Sequence, residues 1–378
     1  MAVDLDGVRA RLSERGEAAR PAEVAEALAW LGHVVSDASV LATVAALRRE
    51  SEGAGPLEEL LGGEGVTDVL VNGPEEVWVD RGAGLERAPV RFADEEAVRR
   101  LAVRLAAQVG RRLDDASPFV DARMLNGTRV HAVLACVAGR TCLSLRVPSR
   151  VRMSLSDWVE RGSLCAEGEA VLRGLVAGRA ALLVSGGTGS GKTTLLASLL
   201  GEVPPEERLV IVEDSRELNP VHPHVVHLEG RVANAESAGG VSLTDLVRNA
   251  LRMRPDRLIV GEVRGAELVD LMAALNTGHE GGCGTVHANS AQSVPARLEA
   301  LGVLGGLGRE ALHAQAGAAL DAVIHVRRDR DGRRWVEQVA AVERADDGLL
   351  RVVPGWTWDA SGHGEAGPGA ARLRRWVS

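Results

Sequence analysis

The chain has 378 residues, 46% of them hydrophobic, with a mean hydropathy near zero and a formal net charge of −8. That length supports about two or three domains with real cores. The acidic balance argues against a general nucleic-acid surface, and no apolar run approaches the ~20 residues of a membrane span. Aromatic residues make up 2%, with no tyrosine, so the cores must be built from Leu, Val and Ala. Cys136, Cys142, Cys165 and Cys283 form no CxxC pair, which suits reduced thiols. The N-terminus carries no basic-then-apolar leader, so the expected location is cytoplasmic, with any membrane contact peripheral.

Residues 1–52 are rich in Ala, Glu, Arg and Leu, and Val24, Ala27, Leu28 and Leu31 recur at helical spacing. Pro21 suits the first turn of a second helix. This stretch reads as a helical appendage that docks on the next domain or on a partner, or is simply solvated. Residues 51–56 have linker chemistry. From 57 to 148 the pattern mixes strand and helix: strands at 66–71 and 77–80, a helix over 95–109, a turn at Asn126-Gly127, and paired strands at 129–133 and 141–147. A small α+β domain is expected there. Its arginines, Arg111, Arg112, Arg129, Arg140 and Arg146, either solubilise the surface or face a nucleotide.

Residues 148–157 read as a connection, and from 155 to 343 strands and helices alternate, as in a parallel sheet with crossover helices. A buried-strand signal at 180–184 runs into Gly186, Gly187, Thr188, Gly189, Ser190, Gly191, Lys192, Thr193 and Thr194, followed by a helical run over 195–200. This spacing fits a phosphate-binding loop. Glycines let backbone N–H groups point into a concave nest, and the following helix adds positive potential. Lys192 would reach the β- and γ-phosphates, and the Thr193 hydroxyl would hold Mg²⁺. Lys192 is also the only lysine in the chain; every other basic residue counted with it is arginine. A compact ammonium suits a crowded phosphate cradle better than a planar guanidinium does. The sequence thus predicts a nucleoside triphosphate.

Further strands are expected at 209–212, 258–260, 285–287 and 322–326, with helices at 243–253 and 266–275 and a closing hairpin around Asp331-Gly332. In parallel sheets ligands bind at the carboxyl ends of the strands. Polar clusters follow three of these strands: Glu213-Asp214, Glu262 with Arg264, and His287-Ala288-Asn289, with His279 and Glu280 just upstream of the last. A hydrolytic nucleotide site needs this inventory of carboxylates and polar sensors. His222, His224 and His227 have no Cys or acidic ligand at useful spacing, so a metal is not expected there. Residues 346–378 are Gly- and Ala-rich and read as a loose tail. Its Arg372, Arg374, Arg375 and Trp376 belong either to a frayed terminus or to a contact with anionic lipid.

With these motifs in order, the chain resembles the type II/type IV secretion ATPase superfamily, in particular its TadA/CpaF branch of tight-adherence pilus assembly. The Walker A loop is 186–193, an aspartate box is similar to 211–218, the Walker B element lies within 252–265, and the histidine box resembles 276–290. Residues 71–74, 110–112, 117–123 and 127–130 resemble that family's N-terminal domain. Cys283, Gly284 and Gly265 depart from its usual residues, yet every charged residue of interest is retained. The resemblance implies a RecA-like P-loop ATPase domain with a smaller α+β N-terminal domain, using ATP and Mg²⁺. It implies Glu213 as the water-activating carboxylate, with Glu217 as a weaker candidate, and Glu262 as the group that positions the metal's water shell. His279 and His287 would couple γ-phosphate state to domain movement, and Arg129 and Arg146 would close over the γ-phosphate. It further implies a homo-hexamer at the cytoplasmic face of the membrane, docked on an inner-membrane platform protein of a pilus or secretion system. No nucleic acid is expected. Two alternatives stay open: a RecA-like nucleic-acid translocase, and a nucleotide-gated scaffold that does not hydrolyse.

Overall fold

The structure, a computed structural model, describes residues 5–15, 19–51, 53–82, 84–148, 152–231 and 239–377. Residues 149–151 of the expected connection lie outside the described residues. The chain divides into two compact units between Pro148 and Ser149.

In the first unit, helices Leu5–Arg15, Pro21–Trp30 and Asp37–Ser51 close around Val8, Leu12, Val24, Leu28, Val44 and Leu47, with Pro21 in a first turn where its missing N–H costs nothing. Six strands follow: β1 (Asp68–Asn72), β2 (Val77–Asp80), β3 (Leu85–Arg87), β4 (Phe119–Arg123), β5 (Arg129–Val133) and β6 (Cys142–Arg146). They pair antiparallel in the order β3-β2-β1-β6-β5-β4. Alternate residues Val69, Val71, Val77, Val79, Val130, Ala132, Leu143 and Leu145 turn inward. They meet Val98, Leu101 and Leu105 of helix Glu95–Gln108, whose start is capped by the Asp94 side chain accepting from the Ala97 N–H. Strand β3 is exposed at every residue, so no apolar alternation marked it in the sequence.

The second unit holds a nine-stranded sheet: β7 (Leu182–Gly186), β8 (Leu209–Glu213), β9 (Val225–Glu229), β10 (Arg257–Val260), β11 (Cys283–His287), β12 (Ala322–Arg328), β13 (Arg334–Arg344), β14 (Leu350–Trp358) and β15 (Gly364–Ala366). The order is β15-β14-β13-β12-β7-β11-β10-β8-β9, with β12 through β9 parallel and β13 to β15 added antiparallel. Its central strands are apolar on both faces. Leu182, Val184 and Ile211 pack with helices Ala166–Ala177 and Lys192–Gly201, whereas Leu183, Val210 and Val212 pack with helices Leu243–Ala250, Glu267–Leu275, Val294–Leu304 and Arg309–Ala319. A sheet covered on both sides reads as continuous apolar runs, which is why these strands were legible.

The tail is not loose. Leu350, Val352, Trp356 and Trp358 of β14 are buried, and helix Ala370–Leu373 sends Ala370 and Leu373 into the same core as Trp356 and Trp358. Pro354 and Gly355 sit where the β13–β14 register shifts, so an irregularity absorbs the residue that lacks an N–H. Gly, Pro and Ala-rich composition hid this alternation. The terminus is not frayed either: Arg375 pairs with Asp321 at 2.8 Å and stacks on Trp376, which packs against Gly174 and Gly178. Because Leu373 is fully buried, Leu373→Ala is expected to destabilise the protein by about 2–5 kcal/mol in urea denaturation; a free tail would give no change.

Candidate nucleotide-binding and hydrolysis site

β7 ends in a turn whose first position tolerates no side chain. Gly186 has φ of 154°, and a Cβ there would strike the Val326 carbonyl and lie 2.5 Å from Ser190 Oγ. Gly191, at φ 103°, starts helix Lys192–Gly201 in the left-handed region that favours glycine. Gly187, Thr188 and Gly189 form an exposed rim; Thr193 and Thr194 are half-buried on the first turn. Ser190 is buried, and its Oγ has no hydrogen-bond partner among the described residues. Lys192 is 7% exposed, and its Nζ donates to the Gly187 carbonyl at 2.8 Å. Burial pushes its ammonium below the ordinary lysine value, and attraction from Glu262 opposes that. An unsatisfied hydroxyl, a cradle closed to Cβ atoms and a desolvated cation at a helix start fit a phosphate group.

Parallel register carries the expected polar groups to the same sheet edge. His287 of β11 lies opposite Gly186, and Gly261, just past β10, donates its N–H to the Val212 carbonyl. His287 Nε2 sits 3.4 Å from Lys192 Nζ and 3.0 Å from Glu262 Oε1. Glu262 also pairs with Arg264, whose guanidinium is 3.9 Å from Asp214. Burial, then the nearby Lys192 charge, lowers the His287 pKa, so its imidazole is held neutral. Glu213, at the end of β8, is 5% exposed, and its Oε1 accepts the N–H groups of Glu217 (3.0 Å) and Leu218 (2.9 Å). Glu217 lies close enough to act electrostatically on Lys192 and Arg264.

His279 does not join this group. It precedes β11, whose first residue, Cys283, pairs with Leu182 at the start of β7. At about 3.3 Å per strand residue it lies at the opposite edge from the phosphate loop. Its Nδ1 lies 3.3 Å from the Ala274 carbonyl at the end of helix Glu267–Leu275. The sequence grouped His279 with His287 because only eight positions separate them, but a strand spans that interval. Arg129 and Arg146 belong to the first unit, where they are cross-strand partners and Arg146 pairs with Asp68 at 3.1 Å. His222, His224 and His227 turn to different neighbours: Pro204, Arg208 and Glu213.

Two groups escaped the sequence reading. Glu267 is 5% exposed and accepts the N–H groups of Arg264 (2.6 Å) and Gly265 (2.8 Å), fixing the segment that aims Arg264. Arg334 of β13 donates to the Gly189 carbonyl at 2.8 Å. In an arginine-rich chain neither had a distinguishing signal. A third polar contact backs the loop: buried Ser185 and His325 meet at 2.9 Å, and burial lowers the His325 pKa. An unfolded histidine takes a proton near pH 6.5, while a folded one with a lowered pKa resists it. Stability should therefore fall as pH drops from 7.5 to 5.5. Carboxylates with lowered pKa act only below that window. His325→Gln is expected to reduce this slope in urea midpoints measured against pH, leaving the part that His287, whose pKa is also lowered, contributes.

The model of the family described as type II/IV secretion system protein matches residues 50–344. A conjugal transfer protein of Mycobacterium tuberculosis (strain H37Rv) is 54% identical over 333 residues, covering 86% of this chain and 94% of its own. The type IV secretion system protein VirB11 of Brucella suis is 32% identical over 301 residues, covering 72% and 83%. Among solved structures, the Legionella pneumophila ATPase DotB aligns with a TM-score of 0.52 at 21% identity, covering 77% of this chain and 80% of that one. The pilus retraction motor PilT with bound ADP aligns at 0.53 and 18% identity, covering 84% of each. These two likenesses show the fold, a RecA-like α/β domain. With the family model spanning most of its length and a relative more than half identical, the chain belongs to the type II/IV secretion system protein family.

Proposed function

We propose that the protein is a motor that couples ATP hydrolysis to secretion or pilus assembly. The enzyme is an ATPase, cleaving ATP to ADP and phosphate. The observation that carries the reading is the meeting of Lys192, His287 and Glu262, with His287 Nε2 3.4 Å from Lys192 Nζ and 3.0 Å from Glu262 Oε1, beside Gly186, where a Cβ would clash. Lys192 and the backbone N–H groups of residues 186–194 bind the phosphates, and the Ser190 hydroxyl gains a partner there. Thr193 and Glu262 would hold Mg²⁺, which neutralises charge developing on the phosphoryl oxygens. Glu213 accepts the proton of the attacking water. Neutral His287 has a single N–H, which would turn from Glu262 to the γ-phosphate and so report its presence. Arg129 and Arg146 would close over the same phosphate, a contribution that can reach ~10³ to 10⁵ in rate. His279, at the other sheet edge, is assigned to movement between domains or subunits rather than to contact with the nucleotide.

The finer reading is a homo-hexamer of the TadA/CpaF type at the cytoplasmic face of the membrane, docked on an inner-membrane platform protein. No helix among the described residues is long and apolar enough to cross a membrane, so this attachment is peripheral in the proposal. Relatives named for conjugal transfer favour a second reading, a nucleic-acid translocase; the net charge of −8 and the scarcity of aromatic residues for stacking weigh against it. Stimulation of hydrolysis by DNA would reverse that order. In a phosphate-release assay, Lys192→Ala should abolish turnover while the protein still folds. Glu213→Gln should bind ATP and hydrolyse it ~10² to 10⁴ times more slowly. Full turnover by the Lys192 variant would overturn the proposal.

A further inference from the structure

Glu213 reaches the carboxyl edge of the sheet almost fully enclosed. Its Oε1 is occupied by two backbone N–H groups. Gly261 forms a wall beside it, since a Cβ there would lie 2.5 Å from Glu213 Cγ. These contacts leave Oε2 as the oxygen available for chemistry. They fix only one end of the carboxylate. A general base works only when its lone pair is aimed at the proton it takes.

The adjacent strand β9 supplies a donor for the other end. His227 lies opposite Ile211, and Glu213 lies opposite Glu229, so His227 is the diagonal neighbour of Glu213 on the same sheet face. Its side chain is 15% exposed, and Nδ1 is buried without a hydrogen-bond partner among the described residues. That nitrogen sits 3.8 Å from Glu213 Oε2. This is longer than a hydrogen bond, but a small rotation of either side chain closes it, and catalytic contacts commonly tighten only once substrate binds. With Arg216, His222 and Val225, His227 also lines an open surface cavity of about 380 Å³, so the ring is not locked in a closed core.

We infer that His227 is a positioning residue that donates from Nδ1 to Glu213 Oε2 and so aims the carboxylate's remaining lone pair at the attacking water. The inference rests on the reading of Glu213 as the water-activating group. A neutral imidazole with the proton on Nδ1 suffices, and no change of protonation is required. The donor must stand where Nδ1 stands, so asparagine, whose amide nitrogen occupies nearly that place, replaces it, whereas glutamine and leucine do not.

The test measures kcat, KM and ATP affinity of the full chain for His227→Asn, His227→Gln, His227→Leu and Glu213→Gln, with a double variant carrying His227→Leu and Glu213→Gln. His227→Leu and His227→Gln should lose about tenfold in kcat, a part of the ~10² to 10⁴ that a general base supplies, with KM and affinity unchanged. His227→Asn should recover most of that loss. On Glu213→Gln, His227→Leu should cost nothing further, because the group it orients is gone. Parental turnover in the Leu and Gln variants, an Asn variant as slow as the Gln variant, or a full additional loss in the double variant overturns the inference. If the Leu variant folds poorly, the comparison of Asn with Gln still decides. Parental turnover in Glu213→Gln alone would overturn the Glu213 reading, and the inference with it; a slow Glu213→Gln beside an unaffected His227 series overturns the inference only.

Discussion

An ammonium buried to 7% exposure, with one carbonyl at hydrogen-bond distance, is the contact on which this site depends. Lysine offers three donors, and burial strips away the water that would otherwise take them. Glu262 attracts Lys192 but stands behind His287, which is neutral and cannot balance a charge. The loop therefore holds a cation whose environment is incomplete. In the proposed reading a triphosphate would supply both the acceptors and the negative charge.

Parallel strand register turns this local arrangement into a catalytic one. Gly186, Glu213, Gly261 and His287 stem from four different strands, and pairing β7 with β11, β11 with β10 and β10 with β8 brings their carboxyl ends level. A one-residue slip in any pair would turn the polar end residue toward the opposite face. Because both faces are apolar, hydrophobicity alone does not forbid such a slip; the fit of Leu182 in one close-packed core and of Leu183 in the other opposes it. Core packing is therefore what keeps His287 within reach of both Lys192 and Glu262. Glycine at position 261 serves the same end by leaving room for the Glu213 side chain.

The phosphate loop, the doubly covered strands and the three strand-end clusters were legible because each obeys a local rule of spacing or period. Of the residues singled out in the chain, Lys192, Glu262 and His287 meet at one sheet edge, and Glu213 ends a neighbouring strand at the same edge. What escaped were relations between distant residues. His279 looked equivalent to His287 until β11 was seen to occupy the gap between them. Glu267 carries its meaning in two backbone N–H groups, which leave no trace in a side-chain pattern. The tail was misread because Pro354 and Gly355 interrupt the alternation at the point where the strand shifts register. Composition spoke for a loop, whereas tertiary pairing with β13 decided for a strand.

That misreading bears on the site, since the added strands brace the loop. Val326 presents its carbonyl to Gly186, Ser185 meets His325, and Arg334 holds the Gly189 carbonyl from the far side of the hairpin. Trp158 closes the other flank, its ring 3.3 Å from where a Cβ of Gly191 would stand and its indole N–H bonded to Ser198 on the loop's own helix. Strands β14 and β15 lie outside β13 and keep that strand from being a bare edge. Shortening the chain at residue 346 would expose the edge of β13 from Gln338 to Arg344, the part of the strand that continues the hairpin carrying Arg334. The C-terminal segment therefore supports the loop after β7 through the sheet, by way of β13.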